Sequence, residues 1–333
     1  MREMSKAISD EEFATAIEPY RRELQAHCYR MLGNVHEAED LAQDALIRAW
    51  QRRETFEGRG TLRAWLYKIA TNTCLNALVR KPRRTLPLAN GTAALIDAPI
   101  PPALREPIWL EPFPDAWLAE DSDQSANPEA RVAAKESITL AFMTALHQLP
   151  PRQRAVLLLC DVLDWSVNDA VDLLEMTRSA AKSALHRARA TLAQCYRRAP
   201  DDVINIADDA LRDKLAHYVR AWESADVEGL VALLKDDASF SMPPIPVWYC
   251  GREAIRWLTG RTVFAGAPSR RWRLLPTRAS GRLAFGLYKL DEGDGTFHAY
   301  GIQVVSFRDG QVADITTCIN PTLTASFGLP SLV

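Results

Sequence analysis

The sequence predicts a multidomain chain with two all-α helical domains followed by a C-terminal α+β domain. Three features carry that prediction. Apolar residues recur at helical spacing over residues 10–84 and again over 129–198. Between these segments prolines fall at 87, 99, 101, 102, 107, 112, 114 and 128, and from Asp97 to Glu129 eight acids face one base, Arg105. Beyond residue 205 the helical period gives way to strand-like runs. These breaks set bounds at 8–84 for the first domain, 85–130 for a Pro-rich acidic linker, 131–198 for the second domain and 205–330 for the third.

The 333 residues are 47% hydrophobic and 25% charged with a net charge of −2, an ordinary composition for a globular protein. Any nucleic-acid binding must therefore rest on local basic patches. The cysteines at 28, 74, 160, 195, 250 and 318 stand singly, with no CxxC or Cys/His zinc spacing. They read as buried small hydrophobes in a reducing cytoplasm. No cofactor motif or metal cluster is expected, and neither a signal peptide nor a membrane span is evident.

The first helix spans 10–33, with Asp10 as N-cap and Gly33 as stop. The second runs from about Val35 to Arg53, acidic early and basic late as the helix dipole favours. Its buried stripe is Ala38, Leu41, Ala42, Ala45, Leu46, Ala49 and Trp50, which leaves Asp40, Gln43, Asp44 and Ile47 on or beside the outer face. A loop holding Phe56 follows. Thr61 then caps a helix within the stretch Gly58–Arg84, which carries seven Lys or Arg and no acid. Such a helix suits a polyanion, since cations neutralise phosphates and aromatic faces take unstacked bases. A solvated basic face is the plainer alternative.

In the linker, Trp109, Phe113 and Trp117 are expected to pack on a neighbouring domain. Beyond Leu149-Pro150-Pro151, a short helix capped by Ser166, a turn at 175–177 and a longer helix from Arg178 form a helix-turn-helix pattern. The second helix holds Arg178, Lys182, His186 and Arg187, with no acid from Met176 to Pro200. A recognition helix reads base edges near its N-terminus and phosphates along its length. The C-terminal part predicts helices at 206–222, 226–234 and 251–264 and a meander of antiparallel strands at 237–242, 270–278, 282–290, 296–308 and 311–318. Trp222, Trp248, Tyr249, His298 and Tyr300 would line a pocket for a small apolar ligand inside the curved sheet.

Two of these segments resemble a known family. HEAEDLAQDALIRAW with GRGTLRAWLYKIATNTCLNAL is similar to region 2 of sigma-70 initiation factors of the extracytoplasmic-function (ECF) group, and LPPRQRAVLLLCDVLDWS…SALHRARATL to region 4. The C-terminal part resembles the SnoaL-like cone, and WLEPFPD with SMPPIPVWYCGREAI resembles the actinobacterial SigG type. The resemblance implies a sigma factor that performs no covalent chemistry, with core RNA polymerase (β′ clamp helices and β flap) and promoter DNA as partners. An anti-sigma factor is a further partner that it leaves open. Asp40, Gln43 and Asp44, with Ile47 beside them, would dock on the clamp helices. Phe56 and Asn72 would capture a base of the −10 strand, and Arg59, Arg63, Lys68, Arg80 and Lys81 would hold phosphates. Lys182, Ser183, His186 and Arg187, with Arg178 at the helix start, would face the −35 groove.

The chain departs from the family pattern where Asp164 and Glu175-Met176 replace glycine or small residues, and where Ala181-Lys182 opens the recognition helix. Two alternatives stand beside the sigma reading. One is a ligand-responsive helix-turn-helix regulator. The other is an isomerase or cyclase using Asp226, Asp314, His298 or Tyr300, fused to a DNA-binding module.

Overall fold

The computed structural model describes residues 10–56, 61–79, 81–89, 91–104, 109–119, 137–195, 209–266 and 271–333. The chain forms two units. Residues 1–84 with 117–197 make a helical unit, and residues 85–116 with 198–333 make an α+β unit.

The helical unit begins with α1 (Asp10–Ile17) and α2 (Arg21–Leu32), where one continuous helix was expected. Pro19 has no N–H to donate, so a 3-10 turn at Glu18–Tyr20 interrupts the helix. Gly33 ends α2 in the left-handed region at φ 72°. Asn34 caps α3 (Val35–Gln51) by accepting from the Glu37 N–H at 2.8 Å. Thr61 caps α4 (Leu62–Leu78) by accepting from the Ala64 N–H at 3.1 Å. Leu24, Cys28 and Met31 of α2 meet the small residues Ala38, Ala42, Ala45 and Ala49 of α3 and Leu66, Ala70 and Cys74 of α4, all buried. Alanine at these positions lets the three helices pack closely.

After the short helix α5 (Ala116–Ala119) come α6 (Leu140–Leu146), α7 (Pro151–Leu157), α8 (Val167–Leu174) and α9 (Arg178–Cys195). Ser166 and Asp169 form a reciprocal capping box at the start of α8. α7 and α8 pack on α4, and α7 also on α2. Arg154 of α7 is buried and donates to the carbonyl oxygens of Met31, Leu149 and His147, the last two at 3.2 and 3.4 Å. The Tyr67 and Trp165 rings lie 5.4 Å apart, and Arg30 donates to the Ser137 hydroxyl at 3.1 Å.

In the α+β unit, α10 (Asp209–Glu223) and α11 (Val227–Ala232) precede β1 (Leu234–Ser241), β2 (Trp248–Cys250) and α12 (Arg252–Leu258). Then follow β3 (Trp272–Ala279), β4 (Arg282–Leu290), β5 (Phe297–Arg308), β6 (Gln311–Cys318) and α13 (Leu323–Ser326). The sheet order is β2-β1-β6-β5-β4-β3. β3 to β6 form the expected meander, but β1 lies parallel to β6, so the sheet is mixed rather than wholly antiparallel. Gly301 permits the bend: a Cβ there would sit 2.0 Å from the Cys318 carbonyl oxygen.

The linker is largely part of this unit. Phe113 is fully buried and exchanges hydrogen bonds with Ser280, N–H to Oγ at 2.9 Å and the return from Ser280 N–H at 2.8 Å. Asp115 accepts from Gly281 N–H at 2.8 Å, and Leu110 N–H donates to Thr85 O at 2.9 Å. Trp109 is buried here, whereas Trp117 is buried in the helical unit with the Arg22 guanidinium 5.4 Å above its ring. Cys195 and Cys250 are exposed and Cys160 half-buried, against the expectation of six buried thiols. Among the described residues no helix is long and apolar enough to cross a membrane.

Candidate nucleic-acid interface

α3 presents its outer face as expected. Asp40, Gln43, Asp44 and Ile47 are exposed, Ile47 by 45%. The expected burial of Trp50 is overturned: it is 40% exposed, with Arg53 stacked 4.9 Å over its ring. Positions 40, 43, 47 and 50 share one helical stripe, so the spacing that placed Ile47 outside could have placed Trp50 there too. An apolar pair flanked by two carboxylates on an exposed face is the chemistry of a protein contact.

Four cations of the α4 segment, Arg63, Lys68, Lys81 and Arg84, are already engaged. Arg63 donates to Glu23 at 2.6 Å through Nε and lies 5.2 Å over the Tyr67 ring. Lys68 pairs with Glu175 of the α8–α9 turn at 3.1 Å, and Lys81 pairs with Glu37 at 3.0 Å. Arg84 shares Glu37 at 2.9 Å; burial opposes the Glu37 charge, but Arg84 and Lys81 outweigh it and hold the carboxyl below its ordinary range. Arg59 and Arg80 lie outside the described residues. Phe56 is half-buried with its ring 5.5 Å from Trp65, and Asn72 is exposed on α4. A basic recess of about 550 Å³ lies between the end of α4 and the start of α7. Lys81, Arg83, Arg84, Arg152 and Arg154 line it, and the two α7 arginines were not singled out in the sequence.

α9 is organised differently. Ala181, Ala184, Leu185 and Ala188 are buried, which turns Arg178, Lys182, Ser183, His186 and Arg187 together toward solvent. Arg189 is held by Asp161 at 2.7 Å. The two departures noted in the sequence have a backbone cause: Asp164 and Glu175 sit in the left-handed region at φ 56° and 52°, which glycine enters without strain.

The five aromatic candidates of the α+β unit do not share one pocket. Trp222 and Tyr300 line a cavity of about 170 Å³ inside the sheet. Trp248 instead donates to Gly91 O at 3.1 Å, and Tyr249 packs on Trp257 at 6.0 Å. His298 is exposed and hydrogen-bonded to Asp294 at 2.7 Å. Strand alternation explains the split, since His298 and Tyr300 are on one face only if β5 is regular, and a register shift interrupts its pairing with β4 nearby. Asp291, Asp294 and His298 gather at the surface with ligand atoms within 4.8 Å of one another. Hydrogen bonds from Thr296 and His298 pull the Asp294 carboxyl down to about 2, and they close the β4–β5 turn.

Comparison with known proteins bears on all three parts. Residues 16–84 match the model of Sigma-70 region 2, residues 139–192 that of Sigma-70, region 4, and residues 215–315 that of the SnoaL-like domain. The ECF RNA polymerase sigma factor SigG of Mycobacterium tuberculosis (strain ATCC 25618 / H37Rv) is 40% identical over 320 residues, which is 96% of this chain and 84% of SigG. SigJ of the same strain is 26% identical over 228 residues, 67% of this chain and 62% of SigJ. The crystal structure of M. tuberculosis SigJ matches with a TM-score of 0.56 at 22% identity, covering 95% of this chain and all of that one, a likeness of fold.

Proposed function

The chain belongs to the ECF RNA polymerase sigma factors, and from that premise we propose how its residues divide the work of initiation. The observation that carries the reading is the α3 face: exposed Ile47 and Trp50 beside Asp40, Gln43 and Asp44 form a docking surface for core polymerase. α9 reads the −35 element, with Lys182, Ser183, His186 and Arg187 in the major groove and Arg178 at its entrance. Phe56 and Asn72 take a base from the −10 strand, and a base held in a protein pocket is withdrawn from the duplex stack, which drives melting without ATP. Lys68, Arg63 and Lys81, with Arg59 and Arg80, follow the backbone phosphates once polymerase has rearranged the helical unit. On this reading the Lys68–Glu175 pair belongs to the idle factor, with Lys68 held by the helix-turn-helix turn.

The α+β unit regulates in cis by holding the tether. The segment joining the two promoter-binding regions is fastened to it by Phe113 on Ser280, Asp115 on Gly281 and the Leu110 carbonyl on Cys318, so the unit controls the length of chain free to span polymerase. A catalytic role is disfavoured, because acid–base chemistry in such apolar pockets most often uses a carboxylate or imidazole. The described residues lining the cavity include neither. Asp226 caps α11 at 2.9 Å and Asp314 accepts from Ser239 at 2.5 Å.

A promoter gel shift with and without core polymerase tests the proposal. Stable promoter binding is expected only with core enzyme; equal binding by the free protein would favour an ordinary helix-turn-helix regulator. Phe56→Ala should retain core binding and lose open complex on duplex promoters, at about 1–3 kcal/mol per unstacked base. Equal transcription from duplex and pre-melted templates, without loss on either, would remove Phe56 from melting.

A further inference from the structure

The cavity in the α+β unit has a chemistry of its own. Its walls are apolar and aromatic: Trp222, Phe240, Trp272, Leu287 and Tyr300, with Ile100 contributed by the linker. The rings of Trp222 and Trp272 meet edge-on at 6.0 Å, and those of Trp272 and Tyr300 at 5.0 Å, so the walls are stiff. The volume of about 170 Å³ is close to that of an apolar protein cavity that admits benzene, about 150 Å³. A single six-membered ring with short substituents fills this volume.

Two polar features depart from this apolar lining. Trp222 is 1% exposed, and its indole N–H is turned to the oxygen of the adjacent Tyr218 as a loose acceptor. Buried indole N–H groups ordinarily find one. The Tyr218 hydroxyl donates to Gln303 at 2.7 Å, which leaves its oxygen able to accept, and Gln303 in turn donates to Thr317, whose side chain lines the cavity, at 2.9 Å. The second feature is a pair of cations in the lining, Arg271 and Lys289. Arg271 is shared with Glu292 at 3.4 Å, while Lys289 is exposed and has no carboxylate partner among the described residues. Lys289 lies opposite Trp272 in the β3–β4 register, which places its backbone beside the aromatic wall.

We propose that this cavity is a binding site for a small ring-bearing carboxylic acid whose ring lies among Trp222, Trp272 and Tyr300 and whose carboxylate meets Lys289 and Arg271. A neutral ring would leave the cations unused, and a small anion alone would not fill the aromatic space. Ile100 ties the site to the linker. The linker is held on either side of it by hydrogen bonds from Ala94 N–H to Trp248 O at 2.8 Å and from Leu104 N–H to Pro244 O at 3.0 Å. The site gives the proposed cis-regulation a chemical input, but its existence is independent of that role, and its test uses neither promoter nor polymerase.

The test is titration calorimetry on the full chain with 4-hydroxybenzoate, benzoate and 4-hydroxybenzyl alcohol, the last a neutral counterpart of the first. 4-Hydroxybenzoate should bind saturably and about tenfold more tightly than the alcohol. Lys289→Gln should weaken the acid about threefold or more while leaving the alcohol unchanged. Leu287→Trp should abolish all binding by filling the cavity; Ile100→Trp, on the linker side, does the same without touching the sheet. Equal binding of acid and alcohol overturns the proposal. So does undiminished binding in a folded Leu287→Trp or Ile100→Trp protein, or no saturable binding of any probe.

Discussion

On α4 and the segment after it, Arg63 is held by Glu23, Lys68 by Glu175 and Lys81 by Glu37. On α9, Arg178, Lys182 and Arg187 face solvent with no carboxylate partner among the described residues. In the sequence the two helices look alike, since each lies in a stretch of more than twenty residues without an acid. The acids that neutralise α4 come from α2, α3 and the α8–α9 turn, which the fold brings alongside. A free cation gains a phosphate and releases counterions, whereas a paired one must exchange one anion for another. If both helices contact promoter as proposed, contact through α9 is available at once, and contact through α4 depends on rearrangement. On the proposed assignment of the α3 face to polymerase, docking there supplies that rearrangement.

The largest effect is expected where the α2–α4 and α6–α9 helices are joined. Arg154→Met leaves the carbonyls of Met31, His147 and Leu149 without their donor in a buried site. The helical unit should lose about 3–5 kcal/mol in denaturant unfolding, because an interior partner is removed and polar groups are stranded. A loss below about 1 kcal/mol would show that these helices are joined by other contacts.

The next effect separates the two basic helices directly. Lys182→Ala and Arg187→Ala should weaken promoter binding by holoenzyme, by about 1–3 kcal/mol for a base contact. A phosphate contact instead lowers the salt slope by about one. Arg63→Ala should cost stability through Glu23 and Tyr67 and leave the salt slope of initial duplex binding unchanged. If Arg63→Ala flattens that slope as much as Lys182→Ala does, the α4 cations are not withheld and the contrast fails.

How much of this could be read from the sequence depends on the range of the interaction. Caps are local, and Thr61, Ser166 and Gly33 act as the sequence indicated. The interruption at Pro19 was equally local and readable, but the unbroken apolar spacing around it masked it. The left-handed positions at Asp164 and Glu175 showed only as departures from a family pattern, and the φ angles give the physical reason. The charge state of α4 could not be read, because Glu23, Glu37 and Glu175 are 40, 44 and 107 residues from their partners, counting Arg63, Lys81 and Lys68 respectively. The cavity was half readable for the same reason. Aromatic content announced it, but which rings face inward depended on a register shift between β4 and β5 and on a linker residue.

A smaller effect appears in acid. His27 is buried against Thr71 at 2.9 Å; burial, with Arg30 and Arg63 nearby, pushes its imidazole down to about 3 from the ordinary 6.5. Above the ordinary value both folded and unfolded chains hold it neutral. As pH falls through 6.5 only the unfolded chain takes the proton, so stability declines by up to about 1.4 kcal/mol per pH unit until the folded imidazole also titrates. His147, lowered by burial and by Arg154, steepens the fall in the same direction. His27→Gln should flatten the decline between neutral pH and pH 5 in the helical unit. An unchanged slope would place the acid sensitivity elsewhere.

The smallest effect is the most discriminating for the idle arrangement, because Glu175 does two things at once. Its carboxylate holds Lys68, and its backbone turns left-handed to start the recognition helix. The pair is exposed, Glu175 by 76% and Lys68 by 40%, so its worth is at most about 1 kcal/mol. The backbone strain is of the same order, about 1–2 kcal/mol, offset by the freedom glycine gains in the unfolded chain. Glu175→Gln removes the charge and keeps the strain; Glu175→Gly removes both. Glu175→Gln should lose about 0.5 kcal/mol and bind duplex promoter with a steeper salt dependence, because Lys68 is now free. Glu175→Gly should share the steeper salt dependence but regain stability, ending level with the native protein or slightly above it. If the salt dependence is unchanged in both variants, Lys68 is not withheld by the turn, and α4 is as ready for phosphate as α9.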